Sequence, residues 1–163
     1  MEAPMSTGDK TPDSALSKKN IDDTITSLID SVKIDSTHWV PYLGGYSKNW
    51  AKPEVFFDAR FPDTLKVDGK ELIPQRYILI HECVEKCLMD ELNMSYEHAH
   101  DIATSAERSA VEADGFTWGR YTDALKPYIN EAIKKPVNLE APKDLDLSPY
   151  EQEHAKVIKQ LEQ

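Results

Sequence analysis

The sequence predicts an α+β fold, mainly helical, with a small antiparallel sheet or an edge strand placed before the helix that carries the most informative motif. Three observations lead there. Two long amphipathic stretches, 75–92 and 95–114, are separated only by Asn93-Met94. A run dense in β-formers, Val55-Phe-Phe-Asp-Ala-Arg-Phe61, precedes them and is closed by Pro62. The 163 residues are 40% hydrophobic, which supports one core and argues against two independent ones.

Taken in chain order, residues 1–19 are Ser, Thr, Pro, Asp and Lys with almost nothing apolar, so a disordered leader is expected. Asn20 then serves as a cap for a helix in which Ile21, Ile25, Leu28, Ile29 and Val32 recur at helical spacing. An aromatic, turn-rich stretch from Trp39 to Trp50 contains Gly44-Gly45, and the strand follows, with room for a second short one nearby. Asp68-Gly69 is a turn signal between that strand and the next helix. Ser95 caps the second long helix and Gly115 stops it. A further helix over 117–134 contains Pro127, which should kink or split it. Residues 20–135 therefore form a single domain, and 136–163 a Pro- and charge-rich tail with a short helix from Pro149 onward.

Charge narrows the partners. Against 29 acidic residues stand 19 Lys and Arg, a net −10, and the basic residues are scattered rather than gathered on a stripe. A surface that holds phosphates needs a cationic footprint, so neither nucleic acid nor an anionic membrane is the expected partner. The start, Met1-Glu-Ala-Pro-Met-Ser, has no basic or apolar leader segment, and no apolar run is long enough to span a bilayer. Cys83 and Cys87, four apart on a helix, suit neither a zinc pair nor a disulfide, and two reduced thiols in a cytoplasmic protein are expected.

The chemistry concentrates in His81-Glu82-x-x-Glu85. Residues four apart stack on one helix face, so His81 and Glu85 can grip one ion, while Glu82, turned by about 100°, faces the open side where a water can be deprotonated. Tyr77, Ile80, Val84, Cys87 and Leu88 form the buried face of this helix, and His81 and Glu85 fall on its border. On the second helix Ala99, Ala103, Ala106 and Ala110 permit close approach of a neighbour. His100 and Glu107, seven apart, lie at the edge of that alanine face, whereas His98 points away. His100 is the expected third ligand, and Glu107 either a fourth or the carboxylate that orients a ligand histidine. The plainer alternative is a surface i, i+4 pair beside a satisfied polar contact. Two His and two Glu at facing helix borders are costly unless a divalent cation compensates them. His38 and His154, in loop or tail context, carry no expected role; Tyr96, Trp39, Trp50 and Trp118 are expected to pack.

The order of a strand over 55–61, a connection, and a helix bearing His81-Glu82-x-x-Glu85 resembles the zincin-like metallopeptidases, of which this is an HExxE variant of HExxH. Residues 42–121 also resemble a group of small uncharacterised bacterial and phage-associated proteins, through Phe57-Asp58, Phe61-Pro62, Ile80-His-Glu-Cys-Val-Glu-Lys86, Ala99-His100 and Ala106-Glu107. The zincin resemblance implies Zn²⁺ on His81, Glu82 as general base, and an extended peptide substrate lying beside the strand; Mn²⁺ or Fe²⁺ also suits the oxygen donors. Departures are Glu85 in place of the second histidine and a third ligand only 15 residues further on. The expectation is thus a metal-dependent hydrolase acting on peptides. The alternatives are a non-catalytic interaction protein retaining a degenerate or structural metal site, and a di-metal carboxylate protein through Glu97-x-x-His100.

Overall fold

The structure, a computed structural model, describes residues 14–38, 40, 43–133 and 142–150. Helix α1 (Ser14–Ser31) leads into β1 (Lys33–Asp35), β2 (Gly44–Tyr46) and β3 (Glu54–Phe57). A hairpin, β4 (Leu65–Val67) and β5 (Lys70–Leu72), precedes α2 (Pro74–Leu92), α3 (Tyr96–Ala113) and α4 (Trp118–Ile133). This is the mainly helical α+β architecture that the sequence predicts. The helix before the sheet starts at Ser14 rather than at Asn20, because Ala-Leu-Ser-Lys-Lys extends it with residues that are adequate helix formers despite the lack of an apolar face. Residues 1–13 of the expected leader lie outside the described residues.

The small sheet is mixed. Strand β3 pairs parallel with β1, Ile34 opposite Val55, and antiparallel with β2, Gly45 opposite Phe56. The strand expected to run to Phe61 ends at Phe57, since Asp58 turns the chain by donating its amide to Leu43 O at 2.8 Å and accepting from Val40 N and Arg60. Both edges of β3 are occupied, so it is the central strand and no peptide can lie beside it. Period-two alternation decides its packing. Val55 and Phe57 enter the main core, while Phe56 faces a second cluster with Val40, Leu145 and Tyr150.

Asp68-Gly69 is the two-residue loop of the β4–β5 hairpin, with φ of 54° and 74° at the two positions. Positive φ at both fits a loop whose twist matches the strands, and it explains Gly at the second. At α2, Pro74 occupies the first turn, where a missing N–H costs nothing. Asn93 ends the helix in the left-handed conformation at φ 52°, and Ser95 caps α3 by accepting from His98 N at 3.3 Å. That reversal lays α3 back along α2. Their Val84, Leu88, Ala99 and Ala103 form a third cluster, on which Ile21 and Ile25 of α1 rest. Helix α4 runs unbroken across Pro127, whose exposed ring leaves solvent to satisfy the carbonyl one turn earlier.

The domain does not stop at Pro136. Leu145 and Tyr150, 1% and 7% exposed, close the outer face of the sheet and seat 142–150 on it by joining Val40 and Phe56 in one buried cluster. The tail's remaining residues, and the helix expected from Pro149 beyond Tyr150, lie outside the described residues.

Candidate metal centre

The α2–α3 pair brings four of the side chains singled out above into one connected group. His81 Nε2 lies 3.2 Å from Glu85 Oε1, and His100 Nδ1 reaches the same oxygen at 2.8 Å. One atom from each of His81, Glu85 and His100 falls within 4.8 Å of the others, so the three can hold a metal ion. The geometry follows from local rules: i, i+4 on α2 stacks His81 over Glu85, and the short reversal at Asn93 carries His100 to the facing border of α3. Tyr96 stacks on the His100 ring at 5.3 Å and is itself buried, in keeping with a packing role.

Glu107 sits on the other side of His81. Its Oε1 lies 3.0 Å from His81 Nδ1, and its Oε2 accepts from Tyr121 Oη at 2.7 Å. A carboxylate on the far nitrogen fixes the ring and directs Nε2 toward Glu85, an arrangement that is also common around metal-bound histidines. Glu85 Oε2 is held in turn by Tyr46 Oη at 2.5 Å. Two tyrosines from outside the helix pair, one on β2 and one on α4, thus brace the two carboxylates. Neither was singled out from the sequence. The available signal was general: a Tyr hydroxyl within a buried aromatic stretch needs a polar partner.

Electrostatics separate the three acids. Burial pushes the Glu82 carboxyl up to about 8, with His81 opposing and the charges of Glu85 and Glu107 adding to the rise. Among the described residues it makes no hydrogen bond or ion pair. Burial also acts to raise Glu85, but hydrogen bonds from His100, His81 and Tyr46 prevail and hold it well below the usual carboxylate range. For His81, burial disfavours the cation, and the bonds to Glu107 and Glu85 outweigh that and raise its pKa well above the ordinary value. Burial raises the hydroxyls of Tyr46 and Tyr121, reinforced by the adjacent glutamates, so both stay protonated donors.

A cavity of about 320 Å³ opens beside this group. His81, Glu82, Glu85 and His100 line one side, and Ile78, Trp118, Leu125 and Ile129 give it an apolar wall. Gly44 permits the close approach of β2 to α2: a Cβ there would lie 3.0 Å from Ile78 Cγ2 and 3.8 Å from Glu82 Cδ. Pro149 and Tyr150 complete the rim.

Other candidates fall away. His98 and Glu97 are exposed, so Glu97 does not join His100 as a di-metal pattern requires. His38 pairs with Asp35 at 3.2 Å on a different part of the surface. His154 and Trp39 lie outside the described residues. Cys83 and Cys87 are buried free thiols, both raised by burial. Among the described residues no helix is long and apolar enough to cross a membrane. Compared with protein-family models, with curated proteins and with solved structures, the chain matches none.

Proposed function

We propose that the chain is a metal-dependent hydrolase, a zincin-like peptidase in which His81, Glu85 and His100 hold one divalent cation and Glu82 is the general base. The observation that carries this reading is the contrast at one cavity wall: three potential ligands converge on each other, while Glu82 stands beside them with no hydrogen-bond partner among the described residues and a raised pKa. A base working near neutral pH needs that property. Two imidazoles and a carboxylate favour Zn²⁺, and the oxygen donor also admits Mn²⁺ or Fe²⁺. When bound, such an ion polarises a scissile carbonyl and acidifies water. Glu82 then takes a proton from the attacking water and delivers it to the leaving amine. Glu107 keeps His81 oriented throughout, and Tyr121 keeps Glu107 in place. The apolar wall from α4 suits a hydrophobic side chain of a peptide substrate. Two buried thiols fit a reducing compartment, and we place the protein in the cytoplasm.

A second reading, a non-catalytic interaction protein retaining a degenerate or structural metal site, has one observation in its favour: His81 is satisfied on both nitrogens by glutamates, so the group is coherent as a hydrogen-bond network. Glu82→Gln separates the two. The hydrolase reading expects metal retained and hydrolysis of a casein or peptide-library substrate lost by at least about 100-fold. Unchanged hydrolysis removes Glu82 as the base, and loss of the metal makes Glu82 a ligand.

A further inference from the structure

We propose that residues 142–150 are an intramolecular ligand of the candidate site: an acidic segment with an aromatic end that docks through Leu145 on the outer edge of β2 and must detach before another polypeptide can reach the cavity. The closing role rests on the hydrolase reading, while the docking itself stands independently.

The backbone pairing is a single antiparallel bridge, set between a turn at 143–144 and a helical turn from Ser148. Lys48 N donates to Asp144 O at 2.7 Å, Asp146 N donates to Tyr46 O at 2.9 Å, and Ser47 bridges antiparallel to Leu145. An unpaired strand edge is a template for extended chain, and here the chain's own segment takes it. This edge also abuts the chemistry, because Tyr46 holds Glu85 and Gly44 adjoins Glu82.

Charge and shape both select the segment. Lys86, 6% exposed, reaches Asp146 at 3.1 Å and Asp90 at 3.4 Å. A buried ammonium requires anionic partners, and Asp146 is the one that the segment brings. Gly45 provides the fit: a Cβ there would stand 2.1 Å from Tyr150 Oη and 2.7 Å from Leu145 Cδ1. The φ of Gly45 is not in the left-handed region, so its backbone does not need glycine and the close approach of the segment does. Tyr150 Oη donates to Gly44 O at 2.7 Å and shares the cavity lining with Glu82. A substrate chain using this edge would contact the same atoms.

The test uses the full chain, its Asp146→Lys and Gly45→Ala variants, and a labelled synthetic peptide with the sequence of residues 142–150. Asp146→Lys sets two cations together and releases the segment, leaving the groove intact. Gly45→Ala releases the segment and also blocks the groove. Hydrogen exchange at the Lys48 amide should speed up at least tenfold in both variants, with α2 and α3 amides keeping their protection. The peptide should bind Asp146→Lys at least tenfold more tightly than the native chain, and should not bind Gly45→Ala. Unchanged Lys48 exchange, or equal peptide binding by all three proteins, would overturn the proposal. So would loss of α2 and α3 protection in both variants, which would make the segment part of the core rather than a ligand. In metal-loaded protein, removal by a chelator should be at least tenfold faster from Asp146→Lys. A chain that carries no metal but passes the exchange and peptide tests refutes the hydrolase reading alone.

Discussion

Two acidic positions on α2, Glu82 and Glu85, are less than a turn apart and have opposite surroundings. Glu85 faces α3 and β2, and His100 and Tyr46 from those elements, with His81 one turn earlier on α2, all direct hydrogen bonds to it. Glu82 faces the cavity, beside the bare backbone of Gly44, and receives none among the described residues. Burial acts to raise both carboxyls. What divides them is whether the helix phase aims the side chain at donors or at a void. A partnered carboxylate with a stable charge makes a good ligand, and an unpartnered one with a raised pKa makes a good base. In the proposed hydrolase one helix would supply both, because the motif spacing places them on different faces.

The largest break in this contrast is Glu85→Ala. It leaves Tyr46 Oη and both histidines without their shared acceptor, and it should cost about 3 kcal/mol in chelator-treated protein, read as a lower urea midpoint, as well as abolishing metal binding. A loss below about 0.5 kcal/mol would show that the network carries little of the stability.

Next in size is the pH dependence, where the two acids should oppose each other. For Glu85 the folded pKa is depressed, so its contribution is present above the unfolded value of 4.5 and is lost as pH falls through the lower folded value. For Glu82 the folded pKa is raised from 4.5 to about 8, so the folded state holds a proton that the unfolded state releases. Stability attributable to it therefore declines as pH rises between those values. Chelator-treated Glu82→Gln should lack that decline, and Glu85→Gln should lack part of the acid limb. Urea midpoints collected across pH 3 to 9 check both at once, and parallel profiles for native and Glu82→Gln proteins would contradict the raised pKa.

A smaller effect is expected at the brace. Tyr121→Phe removes the hydroxyl that fixes Glu107, at about 1 kcal/mol, and should weaken metal affinity by roughly tenfold through the loosened His81 ring. Titration against a competing metal indicator measures it. The smallest belongs to His98, exposed on the far side of α3. His98→Ala should change urea stability by less than about 0.5 kcal/mol and leave metal content alone.

How far the sequence carried this picture depends on the range of the interactions. His81, Glu85 and His100 were legible because helical phase and a short reversal determine which borders meet, and both are local. The placement of Glu107 between His81 and Tyr121 was not legible because Tyr121 comes from α4, and wheel geometry on two helices cannot place a third. Val55-Phe-Phe57 held an unread signal: consecutive apolar residues without alternation mark a strand covered on both faces, hence a central one. The docking of 142–150 had no comparable sign. Asp-Leu-Asp-Leu-Ser-Pro-Tyr is too polar to suggest burial, and its anchors are a glycine and a lysine far away in the chain. Helix α1 began early for a similar reason, since residues without an apolar face can extend a helix whose later turns are already packed.

The most direct test of the metal centre is elemental analysis of the purified, untagged native chain next to His81→Ala, each after incubation with Zn²⁺ and removal of excess. About one equivalent of Zn²⁺ is expected in the native protein and essentially none in the variant, as for a three-ligand site with one open position. If neither protein retains metal and their stabilities agree, then His81, Glu85, His100 and Glu107 form a polar helix interface, and the hydrolase assignment is wrong.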